Sequence, residues 1–153
     1  MAPIPFASTV YFLADAILLA GDAAQKAEIL PKIAAGEVIG AIATSEGPGP
    51  ATAAGLKATV TDGRLSGLKL PVTDGDIANL ALVLAKENGK PGLFLVDLDG
   101  AGVTREALQT LDPTRDAARL VYQNAPASRL GEAGAGIELV EQIFDRAAIP
   151  LAF

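Results

Sequence analysis

The chain has 153 residues, half of them apolar, with five Phe, two Tyr, no Trp and a formal charge of -6. This suffices for one packed domain built on aliphatic side chains, but it leaves few aromatics for stacking bases, and an acidic chain without a basic run repels phosphate backbones, so no nucleic-acid partner is expected. The lack of Cys and His excludes disulfides, thiolate nucleophiles, Ser-His-Asp triads and the usual His or Cys metal sites, leaving carboxylates, hydroxyls, backbone amides or a borrowed cofactor for any chemistry.

The apolar segment Thr9 to Ala20 is about a dozen residues long with Asp15 inside it, short of the roughly 20 that a membrane span requires, and no basic stretch precedes it. A soluble, cytoplasmic protein without a membrane partner is therefore expected. The pattern from Thr9 to Ala35 is helical. A first helix ends at Gly21, and a second opens at Asp22, whose carboxylate can cap the first turn while Gln25 reaches back. Pro31 is expected to kink this helix or end its regular part, and Gly36 to stop it.

From Glu37 to about Leu130 short runs rich in Val, Ile, Leu and Thr alternate with turn dipeptides and read as strands. Leu56, Ala58 and Val60 alternate with polar residues before Asp62-Gly63, and Asn88-Gly89 separates the runs Leu80 to Ala85 and Leu93 to Leu98. Both dipeptides suit tight hairpins. Gly67 breaks the alternation of its strand, which predicts a bulge or a close backbone approach. Short connections without intervening helices favour an antiparallel barrel or sandwich. Asp97 and Asp99 read as turn formers at Gly100, Gly47-Pro48-Gly49-Pro50 as a rigid loop, and Lys57, Lys69, Lys86 and Lys90 as lysines that solvate strand edges. The run Gly131 to Gly136 has the wrong glycine spacing for a dinucleotide loop and reads as a hinge into a last helix. That helix carries Ile137, Val140, Phe144, Ala148 and Leu151 as an apolar stripe; the sequence offers only the short N-terminal helices and the outside of the sheet to cover it, so a further partner segment, subunit or domain is expected against it.

Two segments carry the most specific signal: Ala43 to Thr52, containing Ser45-Glu46, and Gly67 to Gly75, containing Lys69 and Val72-Thr73-Asp74. In order and spacing they resemble the paired flavin-contacting segments of the middle β-domain of acyl-CoA dehydrogenases, Thr-Glu-Pro with Gly-Ser-Asp, then Gly-Thr-Lys with Trp-Ile-Thr-Asn. Gln25 to Glu37 resembles the family's passage from its N-terminal helices into the barrel. Leu111 to Arg115, Ala118 to Tyr122, Ala125-Pro126 and Leu130-Gly131 resemble the barrel's end, and Asp145 to Ala148 the first helix of the C-terminal domain.

The resemblance implies an α+β fold, with a middle antiparallel β-barrel or sandwich over 37–131, the end of an N-terminal helical domain over 1–36, and the first helix of a truncated C-terminal domain over 132–153. It implies FAD as cofactor, an acyl-CoA as substrate dehydrogenated between its α and β carbons, an electron-transfer partner, and a homo- or hetero-oligomer. Ser45 and Thr73 match hydroxyl positions against the flavin, Ile42, Thr44 and Val72 lie in the cofactor-contacting segments, and Ala51 lies in the segment that contacts flavin or substrate. No catalytic residue is expected in this chain, because the family's base comes from the C-terminal domain. Pro71 stands in place of the family's Trp, and Ala51 and Thr52 in place of Ser and Asp. These departures fit a divergent enzyme or a non-catalytic subunit of a heteromeric dehydrogenase. Without the resemblance, Ser45 and Thr73 read as ordinary strand or turn residues, and a free-standing barrel that binds an apolar ligand is the alternative.

Overall fold

A computed structural model describes residues 5–109 and 116–152. The segment Leu111 to Arg115, used in the resemblance, lies outside the described residues. A π-helical segment, Ala7–Ala14, runs straight into α1 (Asp15–Ala20), and α2 spans Ala23–Ala34. Asp22 accepts from the Gln25 amide at 2.7 Å, and the Gln25 side chain accepts from the Asp22 amide at 3.1 Å, so the capping box read from sequence is present. Pro31 lies inside α2 without ending it, since the helix continues to Ala34. Termination belongs to Gly36: its φ of 76° lets its amide reach the Ile33 carbonyl and the Glu37 amide reach that of Lys32, the paired bonds of a Schellman motif.

Eight strands follow: β1 Gly40–Ala43, β2 Thr59–Thr61, β3 Arg64–Thr73, β4 Leu80–Glu87, β5 Lys90–Asp97, β6 Val103–Ala107, β7 Ala117–Pro126 and β8 Ser128–Leu130. Asp62-Gly63 and Asn88-Gly89 make the two hairpin turns, all four residues having positive φ. The hydrogen-bonded order is β6-β7-β3-β2-β4-β5-β8, with β1 also on β4. The α+β class is as expected, but the sheet is mixed. β1 pairs parallel with Leu80 to Val83 of β4, and β2 pairs parallel with Lys86 and Glu87 farther along that edge. The chain leaves the edge after Ala43 and rejoins it at Thr59 without reversing direction, so a hairpin is replaced by a wide loop. The ladder does not close into a barrel. It folds back on itself, because β7 and β8, which pair with β3 and β5, are separated only by Ala127.

Alternation in β4 and β5 divides the core in two. Ala81, Val83, Ala85, Phe94 and Val96 face an interior shared with Val60, Leu65, Val72, Leu120 and Tyr122. Leu82, Leu84, Leu93 and Leu95 face Leu13, Ile17, Leu130 and Ile143 on the other side. Both strands are therefore apolar through their middles, Leu80 to Ala85 and Leu93 to Val96, as strands covered on both faces must be.

The last helix, α3 (Gly136–Leu151), packs on the π-helical segment and on β5. Its buried residues are Gly136, Ile143 and Ala147; of the expected stripe, Ile137 and Val140 pack on the helix-side core, whereas Phe144 is 43% and Leu151 52% exposed. At the helix N-terminus the approach is close: a Cβ on Gly136 would lie 2.7 Å from the Gly92 amide of β5. Gly136, at the end of the glycine run, thus serves close packing of α3. Arg146 adds a two-pronged contact to Asp15, at 2.6 and 2.7 Å.

Candidate functional site

Between β1 and β2 the chain makes an excursion from Thr44 to Ala58. At its start it crosses to β3: the Leu70 amide donates to the Ser45 carbonyl at 2.9 Å, and Glu46 and Leu70 form a parallel bridge. The two segments singled out in the sequence therefore meet side by side.

Their meeting point is organised by a charge pair. Lys69 has no exposed side-chain surface, and its ammonium donates to Glu46 Oε1 at 2.8 Å and to the Thr44 carbonyl at 3.4 Å. The Glu46 carboxylate, 13% exposed, also accepts from the Lys57 amide at 2.7 Å and the Ala58 amide at 3.0 Å. One carboxylate thereby ties the start of the excursion, its end, and β3. Burial pushes the Glu46 carboxyl up, but the Lys69 ammonium and the two amides outweigh it and hold the group below its ordinary value. Burial pushes the Lys69 ammonium down, and Glu46 offsets this only in part. Saturated with donors, Glu46 is a scaffold rather than a base.

The burial of Lys69 corrects its assignment as a strand-edge lysine. The reason is register. Along β3, Leu65 pairs with Ala125 and Gly67 with Tyr122, so the extra residue of this bulge belongs to β7, and Lys69 keeps the inward parity of Leu65. A second irregularity between Lys69 and Val72 places the extra residue on β3, around the cis Leu70-Pro71 bond, and returns Val72 to the interior. Gly67 permits the arrangement, since a Cβ there would meet Ala58 at 2.7 Å.

The expected contact residues are distributed around this pair. Thr44 and Ala51 line a cavity of about 170 Å³ beneath the excursion. Ser45 is half-buried and donates its hydroxyl to the Gly47 carbonyl at 3.0 Å. Ile42 packs toward the helix-side core, and Val72 is fully buried in the interior, so either can offer a ligand only its backbone. Thr73 is exposed at the end of β3, opposite Ala117. Ser45, Val72 and Thr73 do not line the cavity that Thr44 and Ala51 share. Thr52 uses its hydroxyl to accept from the Gly55 amide at 3.1 Å, a local turn.

A larger groove, about 770 Å³, went unread in the sequence. It lies between α2 and the sheet, with Gln25, Ile29, Arg64, Leu80, Leu95 and Ser128 among its walls. Its residues come from six separated stretches, which no linear pattern joins. Asp97 and Asp99 lie at its rim and act as turn formers, Asp97 accepting from the Asp99 amide at 2.9 Å and Asp99 pairing with Arg105. Among the described residues no helix is long and apolar enough to cross a membrane.

No protein-family model matches the sequence, and no curated protein matches it. Solved structures do. The acyl-CoA dehydrogenase from Geobacillus kaustophilus superposes with a TM-score of 0.83 at 28% identity, covering 90% of this chain and 40% of its own. A glutaryl-CoA dehydrogenase from Mycobacterium smegmatis, in complex with FADH2, gives 0.80 at 28% identity, covering 92% and 39%. In fold alone, the ChsE4-ChsE5 complex from Mycobacterium tuberculosis gives 0.80 at 24% identity, covering 95% and 41%. The chain has an acyl-CoA dehydrogenase-like fold and spans about 40% of the length of these structures.

Proposed function

We propose that this chain is the flavin-binding middle part of an FAD-dependent, acyl-CoA dehydrogenase-like protein. The observation that carries the reading is the junction of the two motif segments, Ser45 and Glu46 against Lys69 and Leu70, within a fold similar to that of a dehydrogenase solved with FADH2. FAD would supply the hydride acceptor for α,β-dehydrogenation of an acyl-CoA. Thr73 is the residue best fitted to hold it, being an exposed hydroxyl at a strand end. Thr44 and Ser45 would add main-chain groups, and Ser45 its hydroxyl after release from Gly47. Ile42 and Val72 would contribute backbone contacts, and Ala51 would face the thioester side from the loop. The chain's own work is then to bind and orient. The base that removes the α proton, an electron-transfer partner and an oligomeric assembly would come from the remainder of the protein and its partners, with 1–36 closing an N-terminal helical domain, 37–131 forming the β domain and 132–153 opening a C-terminal one.

A second reading, a non-catalytic subunit of a heteromeric dehydrogenase, is favoured by Pro71, Ala51 and Thr52, which remove a ring and a hydroxyl from the ligand side. A free-standing module with an apolar ligand inside the sheet is disfavoured, because side chains fill that interior. The test is FAD titration, followed by flavin fluorescence, of this chain and of any longer parent polypeptide. Saturable binding by the parent, weakened by Thr73→Val, is expected; no binding by either sinks the flavin reading. Turnover of acyl-CoA by these 153 residues alone would overturn the assignment of the base to another part.

A further inference from the structure

The Glu46–Lys69 pair raises a question that burial alone does not answer. A buried ion pair is often no better for stability than well-packed apolar side chains, so its presence points to geometry. The geometry here is closure. Pro48 to Gly55 are exposed, and a Cβ on Gly47 or Gly49 would meet nothing within 4 Å, so the outer part of the excursion is not fixed by packing. Its other ties among the described residues are the bond from the Ser45 hydroxyl to the Gly47 carbonyl, a local turn in which the Gly55 and Leu56 amides donate to Thr52, a 3.5 Å contact from Lys86 Nζ to the Ala54 carbonyl, and the buried side chain of Leu56. None of these reaches β3. The Glu46 carboxylate alone gathers the Lys57 and Ala58 amides and the Lys69 ammonium.

We propose that Glu46 and Lys69 are positioning residues: their pair is a clamp that fixes the 47–56 loop, and Ala51 within it, relative to the β3 segment carrying Thr73, so that two ligand-contacting segments form one preorganised rim. The positioning role rests on the flavin and acyl-CoA reading above; the clamping of the loop does not. Preorganisation of this kind raises affinity by removing the cost of ordering a loop when the ligand arrives.

The experiment uses Lys69→Met, Glu46→Gln and the double variant in the full protein, with amide hydrogen exchange and FAD titration. In Lys69→Met, the amides of Gly55 and Leu56, held by Thr52, and of Lys57 and Ala58, held by Glu46, should exchange at least about tenfold faster, while those of β4 and β5 keep their protection. FAD affinity should fall by about tenfold, and the double variant should bind little worse than either single one, since both remove the same coupled unit. Glu46→Gln keeps one oxygen for the Ala58 amide and the Lys69 ammonium and loses the acceptor of the Lys57 amide, so it should loosen the loop less, which preserves a folded variant should Lys69→Met fail to fold. Loop exchange within twofold of the parent in Glu46→Gln and in any folded Lys69 variant overturns the clamp. A loosened loop in a protein that binds no FAD keeps the clamp and sinks the flavin reading. A loosened loop with unchanged FAD affinity overturns the positioning role.

Discussion

The β4–β5 hairpin buries apolar side chains on both faces, Val83 and Phe94 inward and Leu82, Leu84 and Leu93 toward the helices. The excursion from Thr44 to Ala58 starts and ends on the same edge of β4, yet its base is gathered by one carboxylate and one ammonium. The difference lies in what each attachment tolerates. Apolar burial is non-directional, so the hairpin's hold is shared among many side chains and degrades by degrees. A buried ion pair is directional and all-or-none, because removing one partner strands the other. A region that must present backbone at a fixed place gains from the second kind of attachment, and a floor gains from the first.

The largest expected effect breaks the directional side. Lys69→Ala should destabilise the chain by about 3–5 kcal/mol, because it leaves the Glu46 carboxylate buried without its cation. Urea denaturation followed by circular dichroism measures it. A loss below about 1 kcal/mol would mean that water replaces the ammonium, placing Lys69 among surface pairs. The matching cut on the apolar side, Leu84→Ala, should cost about 2–5 kcal/mol through lost transfer energy and a residual cavity. Its effect should spread to the packing of α3, whereas that of Lys69→Ala stays with the loop; hydrogen exchange separates the two patterns.

Acid sharpens the comparison. The folded Glu46 carboxyl lies below its ordinary value of 4.5, so its contribution is complete above that value and is lost as pH falls through the folded one. Urea midpoints measured between about pH 5 and pH 3 should therefore fall more steeply for the parent than for Glu46→Gln. Parallel curves would show that the carboxylate is not the group titrating.

Much of the floor was legible because its signals are local. Asp22 and Gln25 state a capping box in four residues, Asp62-Gly63 and Asn88-Gly89 state their turns in two, and Gly67 announced the close approach to Ala58. The parallel pairings of β1 and β2 were not legible, since nothing in either strand says which way the neighbouring edge runs. Nor was the clamp. Counting by twos from Leu65 puts Lys69 inside, but only a bulge carried on β7 makes that count valid, and Glu46 is 23 residues away. The stripe on α3 held at Ile137 and Val140 and failed farther along, where Ile143 and Ala147 are buried in place of Phe144 and Ala148. The sites of Ser45 and Thr73 were named through the motif resemblance and not through periodicity, which by itself makes them surface residues.

The smallest effect tests whether the two regions are independent. Asp22 caps α2, and Gln25, its partner in the box, also donates to the Arg129 carbonyl at 2.9 Å, fastening the helix to β8. Asp22→Ala should cost about 1 kcal/mol, the usual worth of an N-cap. The loss should appear in the exchange of α2 and β8 amides, which border the large groove, because an uncapped first turn frays and takes the Gln25 contact with it. The loop from Gly47 to Leu56 should keep its exchange rates, since no hydrogen bond among the described residues joins it to α2 or β8. Faster exchange of the Leu56 and Lys57 amides in this variant would mean that the clamp feels the helical layer, and the division between a directional rim and a non-directional floor would fail at that point. Unchanged loop exchange with a frayed α2 would establish that the rim is set independently of the helical layer.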